Sequence, residues 1–294
     1  MTIVSGAKKA FYLICNVLLD DRSKVLLIDP AYPDYQRAIL NFTQNIYKLD
    51  ANNRLPNVSD IEEMVRSKGI NVIIFNYPNN PTGTIANTDF WERVHNLSKI
   101  YNLKIINDFT YSDYVYTDTS SSMFSSLNNV SNDYMYEIYS FSKNFTIPGW
   151  RIAAIICSQR NIEKINFLNN IMESGIFTPM IITLNQMILS NQKRVKVSLY
   201  HKKAKLLCKK IQTLTNWECS VPDSGMFLWI KLKNINSWEF FKEKMENENL
   251  IILPGILYGE KYINFIRLSL NFNLHEIDEI ITRLVNGEKY DEIS

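Results

Sequence analysis

Short apolar runs alternate with amphipathic segments along the first half of the chain. Five runs of aliphatic, β-branched and aromatic residues are too short for ordinary helices, and they predict buried strands. These runs cover residues 25–28, 46–49, 71–75, 103–107 and 136–139. Between them, apolar residues recur at helical spacing, most clearly in 7–18, where Phe11, Ile14 and Leu18 share one face.

Further helices are predicted at residues 36–41, 59–68, 89–101 and 160–170. The segment from Ser59 to Glu62 has the pattern of a capping box, and Gly69 is a typical stop for that helix. We expect residues 1–6 to run straight into the first helix. The alternation of strands and helices over short connections predicts an α/β fold with a mostly parallel sheet covered by helices.

The pattern changes in the last hundred residues. An apolar helix is predicted at 180–189, followed by a long amphipathic helix from about Lys193 through Ile211. Strands are then expected within 219–232 and 263–270, with helices at 237–248 and 275–285 packed over them. We therefore predict a large domain at residues 1–195 and a smaller α+β domain at 196–294.

Composition limits the classes of partner. The 294 residues are 46% hydrophobic and 21% charged, with a formal net charge of +2, which indicates neither a nucleic-acid nor a membrane partner. Without a signal segment or a membrane-length apolar run, we expect a cytoplasmic protein. The three histidines are scattered and predict no metal site. The four cysteines (Cys15, Cys157, Cys208 and Cys219) lie far apart without paired spacing, so we interpret them as reduced thiols.

The segment from Ser140 to Arg151 carries the most distinctive chemistry. Lys143 follows the end of a predicted strand, where α/β sheets present functional groups. A partly desolvated lysine loses its proton and forms a Schiff base with a carbonyl. Ser140, Ser142 and Arg151 have the donors that hold a phosphate, and the combination suggests pyridoxal phosphate. An ordinary solvated lysine in a turn would fit the same residues.

Other polar side chains follow strand ends in the same way. Tyr32, Asn80 and Asp108 each come just after a predicted strand, as Lys143 does. In a parallel sheet these ends share one edge, so we expect the four residues to converge. The turn at Ser5 to Ala7 lies at a helix N-terminus, which favours an anion, although Ser5 could be only an N-cap.

Together these stretches resemble the class I and II aminotransferases of the pyridoxal-phosphate fold type I superfamily. The resemblance covers nearly the whole chain. It rests on the motifs SGA at 5–7, PAY at 30–32, NPTG at 80–83, the pair Asp108 and Tyr111, the 140–151 segment and FIRLS at 265–269. It implies a cofactor, pyridoxal 5'-phosphate, and a reaction in which an amino group passes between an amino acid and a 2-oxo acid.

The resemblance also implies roles for single residues. Lys143 resembles the lysine that holds the cofactor as a Schiff base and then shuttles a proton. Asp108 resembles the partner of the pyridine nitrogen, and Tyr32 the aromatic that stacks on the ring. Asn80 and Tyr111 resemble donors to the phenolic oxygen. The phosphate would be held by Ser5, Gly6, Ala7, Ser140, Ser142 and Arg151. The substrate would be bound by Arg267, through its carboxylate, and by Asn80.

The chain departs from the family pattern in two places. Phe109 stands where a glutamate is usual, and only four residues precede Ser5 where relatives carry an arm of several dozen. The family's homodimer is therefore expected only if that arm is dispensable. We also expect weak cofactor binding, slow turnover, and apolar surface left uncovered on the first helix (Phe11, Ile14, Leu18) and around residues 32–35.

Two other functions share most of these residues. Fold type I relatives include decarboxylases and carbon–sulfur lyases, but the PGWR ending at 148–151 looks more like the aspartate, alanine and diaminopimelate transaminases. A truncated, non-catalytic module that binds the cofactor is the second alternative, and intact Lys143, Asp108 and Arg267 speak against it. No arginine occurs at 173–186 to bind a distal carboxylate, which disfavours a strict dicarboxylate substrate.

Overall fold

The computed structural model describes residues 1–51, 53–117, 122–127, 133–190 and 195–286. Its strands are β1 (Thr2–Val4), β2 (Val25–Asp29), β3 (Ile46–Asp50), β4 (Val72–Phe75), β5 (Lys104–Asp108), β6 (Met135–Ser140), β7 (Ala153–Ile156), β8 (Glu218–Cys219), β9 (Phe227–Lys231), β10 (Leu253–Pro254) and β11 (Phe265–Ser269). They form a seven-stranded sheet, ordered β1-β7-β6-β5-β4-β2-β3, and a four-stranded sheet, ordered β10-β11-β9-β8.

Helices cover both sheets. They are α1 (Ala7–Leu18), α2 (Pro33–Ile39), α3 (Val58–Lys68), α4 (Thr88–Tyr101), α5 (Met123–Ser126), α6 (Phe141–Asn144), α7 (Gln159–Met172), α8 (Thr178–Leu189), α9 (Val197–Leu214), α10 (Ser237–Glu248) and α11 (Ile277–Val285). Single turns of 3-10 helix lie at Ser112–Tyr114, Pro148–Trp150, Gly255–Tyr258, Glu260–Tyr262 and Leu274–Glu276. The α/β architecture with a smaller, antiparallel sheet confirms the predicted fold class.

The large sheet is buried on both faces, which explains its continuous apolar runs. In β2, Val25 and Leu27 pack into the core shared with α1, α2 and α7. Leu26 and Ile28 point the other way, into the core shared with α3 and α4. Strands β2 to β6 pair in parallel, so their carboxyl ends lie along one edge. That edge carries the site described below.

Several local predictions about the large sheet were wrong. Residues 2–4 form an edge strand, β1, rather than running straight into α1, and they pair antiparallel with β7, which the pattern did not predict. The capping box at Ser59 does not form, because α3 begins earlier, with Asn57 at the N-cap. The stop at Gly69 is confirmed: this residue caps α3 in the left-handed conformation.

The smaller sheet has more strands, and shorter ones, than predicted. The expected strand at 219–232 is two strands, β8 and β9, and β10 was not predicted. The predicted helix start at Lys193 lies outside the described residues, and α9 begins at Val197. The boundary near residue 195 stays a prediction.

Within the described residues, no helix is both long enough and apolar enough to cross a membrane. The same part of the chain contains no group of three or more His, Cys, Asp or Glu residues placed to bind a metal ion.

A buried carboxyl group fixes α5 to the large sheet. The side chain of Glu137 in β6 is fully buried and accepts hydrogen bonds from Asn107 Nδ2 (3.0 Å), the amide of Met123 (2.8 Å) and Ser122 Oγ (2.6 Å). Burial raises the pKa of Glu137 above its ordinary value, although the three donors oppose the shift. A raised pKa means that stability is lost as the pH rises through the folded-state pKa.

Replacing Glu137 by glutamine should therefore stabilise the protein near neutral pH. Glutamine keeps an acceptor for Asn107 and Met123, and its amide can donate to Ser122, while no charge has to be buried. We expect the free energy of unfolding at pH 7 to rise by roughly 1 kcal/mol, and the loss of stability as the pH rises above the ordinary carboxyl pKa to flatten. Thermal unfolding across this pH range tests the prediction. The exposed Glu92→Gln variant is the control, and equal shifts in both variants would contradict it.

Candidate active site

One cavity of about 430 Å³ lies at the carboxyl edge of the large sheet. Asp108 is the last residue of β5, Lys143 lies three residues beyond β6, and Tyr32 and Asn80 follow β2 and β4. All four line this cavity, as the shared edge of a parallel sheet predicts. The cavity wall contains every residue predicted for the site except Ser5 and Gly6: Ala7, Tyr32, Asn80, Asp108, Tyr111, Ser140, Ser142, Lys143, Arg151 and Arg267.

The carboxylate of Asp108 is held by two residues that the sequence analysis missed. Tyr35 Oη donates to Asp108 Oδ2 at 2.7 Å, and both the amide (3.0 Å) and the hydroxyl of Thr110 donate to Oδ1. Burial raises the pKa of Asp108, and these donors oppose the shift by stabilising the ionised form. Each carboxylate oxygen has two lone pairs, so the group can still accept a donor from a bound ligand.

Tyr35 has a recognisable position in the sequence. Helix α2 starts directly after Tyr32, so the side chain three residues later turns back toward α1 and the sheet. Its ring packs against Phe11, with ring centroids 4.8 Å apart, and its hydroxyl is the only polar group that it brings into the interior. A tyrosine one helical turn beyond a strand end was therefore a usable signal.

Lys143 lies in the short helix α6, which begins as β6 ends. Burial lowers the pKa of its amine, and the positive charges of Arg267 and Arg151 lower it further. The ring of Phe141, two residues before Lys143, packs against the ring of Phe145, two residues after it. The amine is thus kept more easily deprotonated than a surface lysine, which is the condition for attack on a carbonyl.

Several donors suited to an anion line the cavity. The first-turn amides of α1 have no partner inside the helix, and Ala7 there lines the cavity. Gly6 has φ 96°, and a Cβ on it would lie 2.6 Å from Arg151 Nη2, so only glycine lets the guanidinium approach. Ser142 Oγ is buried and finds no hydrogen-bond partner among the described residues.

The other two residues of the SGA turn make different contacts. Ser5 Oγ donates to Glu173 Oε2 at 2.5 Å, and Lys9 Nζ lies 2.8 Å from the other oxygen of that carboxylate. The amide of Gly6 donates to Val4 O at 2.8 Å. The structure therefore does not bring Ser5 and Gly6 to the cavity wall, and their predicted phosphate contacts stay predictions.

Arg267 reaches the cavity from the smaller sheet. It lies in β11, and its Nη1 donates to Asn80 Oδ1 at 2.9 Å. Its guanidinium lies 5.2 Å from the ring centre of Phe227 and 5.7 Å from that of Tyr258. The Nε atom is buried without a hydrogen-bond partner in the described parts of the chain. An arginine that is held between aromatic rings and has an unused N–H donor is suited to bind a carboxylate.

The loop that carries Asn80 is clamped from both sides. The amide of Asn80 donates to Asn76 Oδ1 at 3.0 Å, and Asn76 Nδ2 donates to the carbonyl of Asp108 at 2.8 Å. Gly83, with φ 75°, accepts a hydrogen bond from Ser224 Oγ at 2.8 Å, and a Cβ there would lie 2.4 Å from Ser224 O. The glycine therefore allows this loop to contact the segment before β9.

Pyridoxal phosphate fits these residues on three independent observations. A half-buried amine with a lowered pKa lies in the same cavity as an oriented carboxylate, Asp108. Ser142 contributes an orphaned buried hydroxyl to the cavity wall, and Arg151 on the same wall lies against Gly6 at the α1 N-terminus. The aromatic side chains of Tyr32 and Tyr111 also line the cavity and could contact the faces and edge of a flat ring.

The expectation about uncovered apolar surface was wrong in its location. Phe11 and Ile14 are 3% and 0% exposed, and Tyr35 is also buried, because α1, α2 and the sheet cover one another. A group of exposed apolar side chains lies instead on α7, on α8 and at the residue just before α8. They include Phe167, Ile171, Phe177, Ile182 and Leu189.

The sequence and fold match known proteins over nearly the whole chain. The family model for aminotransferase class I and II matches residues 1–284. The chain is 28% identical over 292 residues to the LL-diaminopimelate aminotransferase of Halothermothrix orenii, covering 96% of this chain and 74% of that enzyme. It is 23% identical over 291 residues to transaminase BacF of Bacillus subtilis, covering 97% of this chain and 72% of that protein.

The solved aspartate aminotransferase from Thermotoga maritima has the same fold, with a TM-score of 0.82 at 23% identity, covering 96% of this chain and 74% of that one. Substrate-bound BacF from Bacillus subtilis matches with a TM-score of 0.86 at 23% identity, covering 96% and 73%. The chain thus spans about three quarters of the length of these proteins. Since the family model covers residues 1–284, the protein belongs to the class I and II aminotransferases, a pyridoxal-phosphate-dependent family.

Proposed function

We propose that this aminotransferase holds pyridoxal phosphate on Lys143 and moves an amino group between an amino acid and a 2-oxo acid. The observation that carries the proposal is the common cavity of Lys143, whose pKa is lowered, and the buried, hydrogen-bonded Asp108. When bound, the cofactor would supply an electron-withdrawing ring that stabilises negative charge developing at the substrate α-carbon.

Lys143 would act twice. Its neutral amine first provides the nucleophile that attaches the cofactor, which a lowered pKa favours. Once an amino substrate takes that place, the freed Nζ can accept the proton of the substrate α-carbon and return it at a neighbouring atom. Such transfer by a positioned amine typically contributes about 10²–10⁴-fold to the rate.

Asp108 would keep the ring nitrogen of the cofactor protonated. For this the carboxylate must stay ionised although it is buried, and the donors Tyr35 and Thr110 favour the ionised state. Asn80 and Tyr111 would donate to the phenolic oxygen. Tyr32 would stack on the ring, while Ala7, Ser140, Ser142 and Arg151, together with Ser5 and Gly6, would hold the phosphate.

Arg267 would bind the α-carboxylate of the substrate through paired N–H donors. Its contact with Asn80 links the substrate end of the cavity to the cofactor end. The names of the relatives, LL-diaminopimelate aminotransferase and transaminase BacF, support amino acids and 2-oxo acids as the substrate class.

A single-turnover experiment tests the proposal. The protein loaded with pyridoxal phosphate is mixed with each member of an amino-acid panel, without any 2-oxo acid, and both the product and the cofactor are identified. We expect a stoichiometric 2-oxo acid and conversion of the cofactor to its amine form. Continuous release of ammonia, sulfide or carbon dioxide without a 2-oxo acid co-substrate would instead support a lyase or a decarboxylase.

We further propose that the chain forms a homodimer in the cytoplasm, with the apolar face of α7 and α8 in the interface. Phe167, Ile182 and Leu189 are 69%, 58% and 70% exposed, an amount of apolar surface unusual for a monomer. The same helix α8 packs through Met180 and Ile181 against Phe141 and Phe145, next to Lys143. A second copy bound to this face would therefore support the short helix α6, which carries Lys143.

Charges placed on this face should separate the subunits. We expect the Ile182→Lys/Leu189→Lys double variant to raise the dimer dissociation constant by at least about 100-fold, because two lysines would be buried without partners. Analytical ultracentrifugation over a concentration series measures the constant. The Ile100→Lys variant, which changes an apolar side chain that is 72% exposed on α4, is the control. A dimer unaffected by the double variant would place the interface elsewhere.

A further inference from the structure

Two of the cysteines that look unrelated in sequence meet inside the smaller domain. Cys208 lies near the end of α9 and Cys219 in β8, eleven residues later. Their sulfur atoms are 2.9 Å apart, and both are thiols. The prediction that the four cysteines are reduced thiols is confirmed, but their spacing in the sequence did not predict that two of them meet.

The connection between α9 and β8 holds the two thiols together. Thr215 Oγ1 donates to Ile211 O at 2.7 Å and accepts from the amide of Trp217 at 3.2 Å, which closes the turn. On the other side, Gln212 Nε2 donates to the carbonyl of Cys219 at 2.6 Å. Three local hydrogen bonds thus fix the backbone on which the two sulfurs meet.

The two thiols are buried but lie close to the edge of the smaller sheet. Cys208 and Cys219 are 3% and 6% exposed and belong to the core of the smaller sheet, with Ile211, Trp217 and Ile230. Strand β8 is two residues long and lies at the end of its sheet, where it pairs with β9. We expect that this short edge strand can open without unfolding α9, since the helix also packs against α11 through Leu207 and Ile281 in the same core.

We propose that Cys208 and Cys219 are a redox-sensitive modification site that forms an intramolecular disulfide with a low-molecular-weight disulfide as oxidant. One cysteine thiolate attacks the oxidant, breaking its S–S bond and releasing one thiol. The second cysteine then displaces the other half as a second thiol. The protein loses two electrons and two protons, the oxidant gains them, and the new S–S bond joins α9 to β8.

The environment favours a slow and selective reaction. A hydrogen bond with Cys208, together with burial, raises the pKa of the Cys219 thiol, so this thiol stays protonated in the closed protein. Once one cysteine has formed a mixed disulfide, the second is already in place to resolve it. A dithiol with this geometry should therefore release both halves of the oxidant instead of keeping one as a stable adduct.

The cross-link would act on the domain that carries Arg267. Helix α9 also holds Lys203, whose Nζ donates to the carbonyls of Leu270 and Phe272 just after β11. Joining α9 covalently to β8 would tie this edge strand, as well as the segment after β11, to one helix, and it would close a short loop in the unfolded chain. We expect the thermal midpoint of the oxidised protein to rise by several degrees.

The test uses the full chain loaded with pyridoxal phosphate and incubated with oxidised glutathione. We expect loss of two titratable thiols, a mass lower by two hydrogen atoms, and a peptide pair that contains Cys208 and Cys219 in a non-reduced digest. Dithiothreitol should restore the four thiols. The Cys208→Ser and Cys219→Ser variants should each give a glutathione adduct in place of the cross-link. Cys157→Ser, which changes another buried cysteine, should still form it.

Three results would overturn the proposal. They are four thiols that persist in the presence of the oxidant, a stable glutathione adduct on the wild-type chain, and a cross-link through Cys15 or Cys157. The wild-type peptide map decides the matter even if a serine variant does not fold. The assignment does not depend on transamination, because every readout is a mass, a thiol count or an unfolding temperature.

Discussion

The Lys143→Ala variant is expected to transfer amino groups at least about 10⁴-fold more slowly than the wild-type chain. The substitution removes both the covalent attachment point and the base for the α-proton, and each role alone contributes orders of magnitude. The fold should survive, because Lys143 is half-buried and burial already opposes its charge. Steady-state turnover, with the 2-oxo acid product measured directly, gives the ratio.

Lys8 offers a matched control for this variant. It lines the same cavity, but its amine is paired with Asp34. We expect Lys8→Ala to change turnover by less than about tenfold, since the loss of a mostly exposed ion pair has little energetic effect. Equal losses in the two variants, or a Lys143→Ala protein within tenfold of wild type, would mean that Lys143 is not the catalytic amine.

Replacing Asp108 by asparagine should slow exchange of the substrate α-proton by about 10²–10⁴-fold while leaving the fold intact. The neutral amide cannot keep a positive charge on a ring nitrogen, so the cofactor would lose much of its electron-withdrawing power. The new NH₂ group would also face a donor, either Tyr35 or Thr110. Deuterium exchange at the α-carbon, followed by NMR, isolates this step from later ones.

The Asp34→Asn variant is the matched control for Asp108. This carboxylate lines the same cavity, yet its charged partners are Lys8 in α1 and Arg37 in α2. Its replacement should leave the exchange rate close to wild type. An Asp108→Asn protein with near-normal exchange and an unchanged circular dichroism spectrum would show that this carboxylate does not serve the cofactor.

The parallel core of the large sheet could be predicted because its sequence signal is local. Strands such as β2 and β4 are continuous apolar runs, since both of their faces are buried. The convergence of Tyr32, Asn80, Asp108 and Lys143 then followed from the geometry of parallel sheets. The order of the strands and helices along the chain was enough to predict this convergence.

The features that were missed depend on contacts between distant segments. Strand β1 has three residues, and it exists because β7 offers an open edge more than 140 residues later. The contact of Ser5 with Glu173 spans 168 positions, and no local pattern indicates it. Strand β8 has two residues, so neither its bounds nor the meeting of Cys208 with Cys219 could be inferred from periodicity.

Tyr35 and Thr110 illustrate a different limit. Both residue types were visible beside predicted site residues, but whether their hydroxyls turn toward Asp108 depends on how α2 packs on α1. Sequence motifs identify groups that contact a ligand directly more readily than groups that orient them. The ionised state of a buried carboxylate depends on such donors, so they deserve the same experimental scrutiny as the residues they support.

Reductive labelling identifies the lysine that holds the cofactor. The purified protein is saturated with pyridoxal phosphate, reduced with borohydride, digested and mapped by mass spectrometry. We expect one modified peptide, with the reduced cofactor on Lys143, and its disappearance when Lys143 is replaced by alanine. Labelling of Lys8 or any other lysine in place of Lys143, or the absence of label at saturating cofactor, would contradict it.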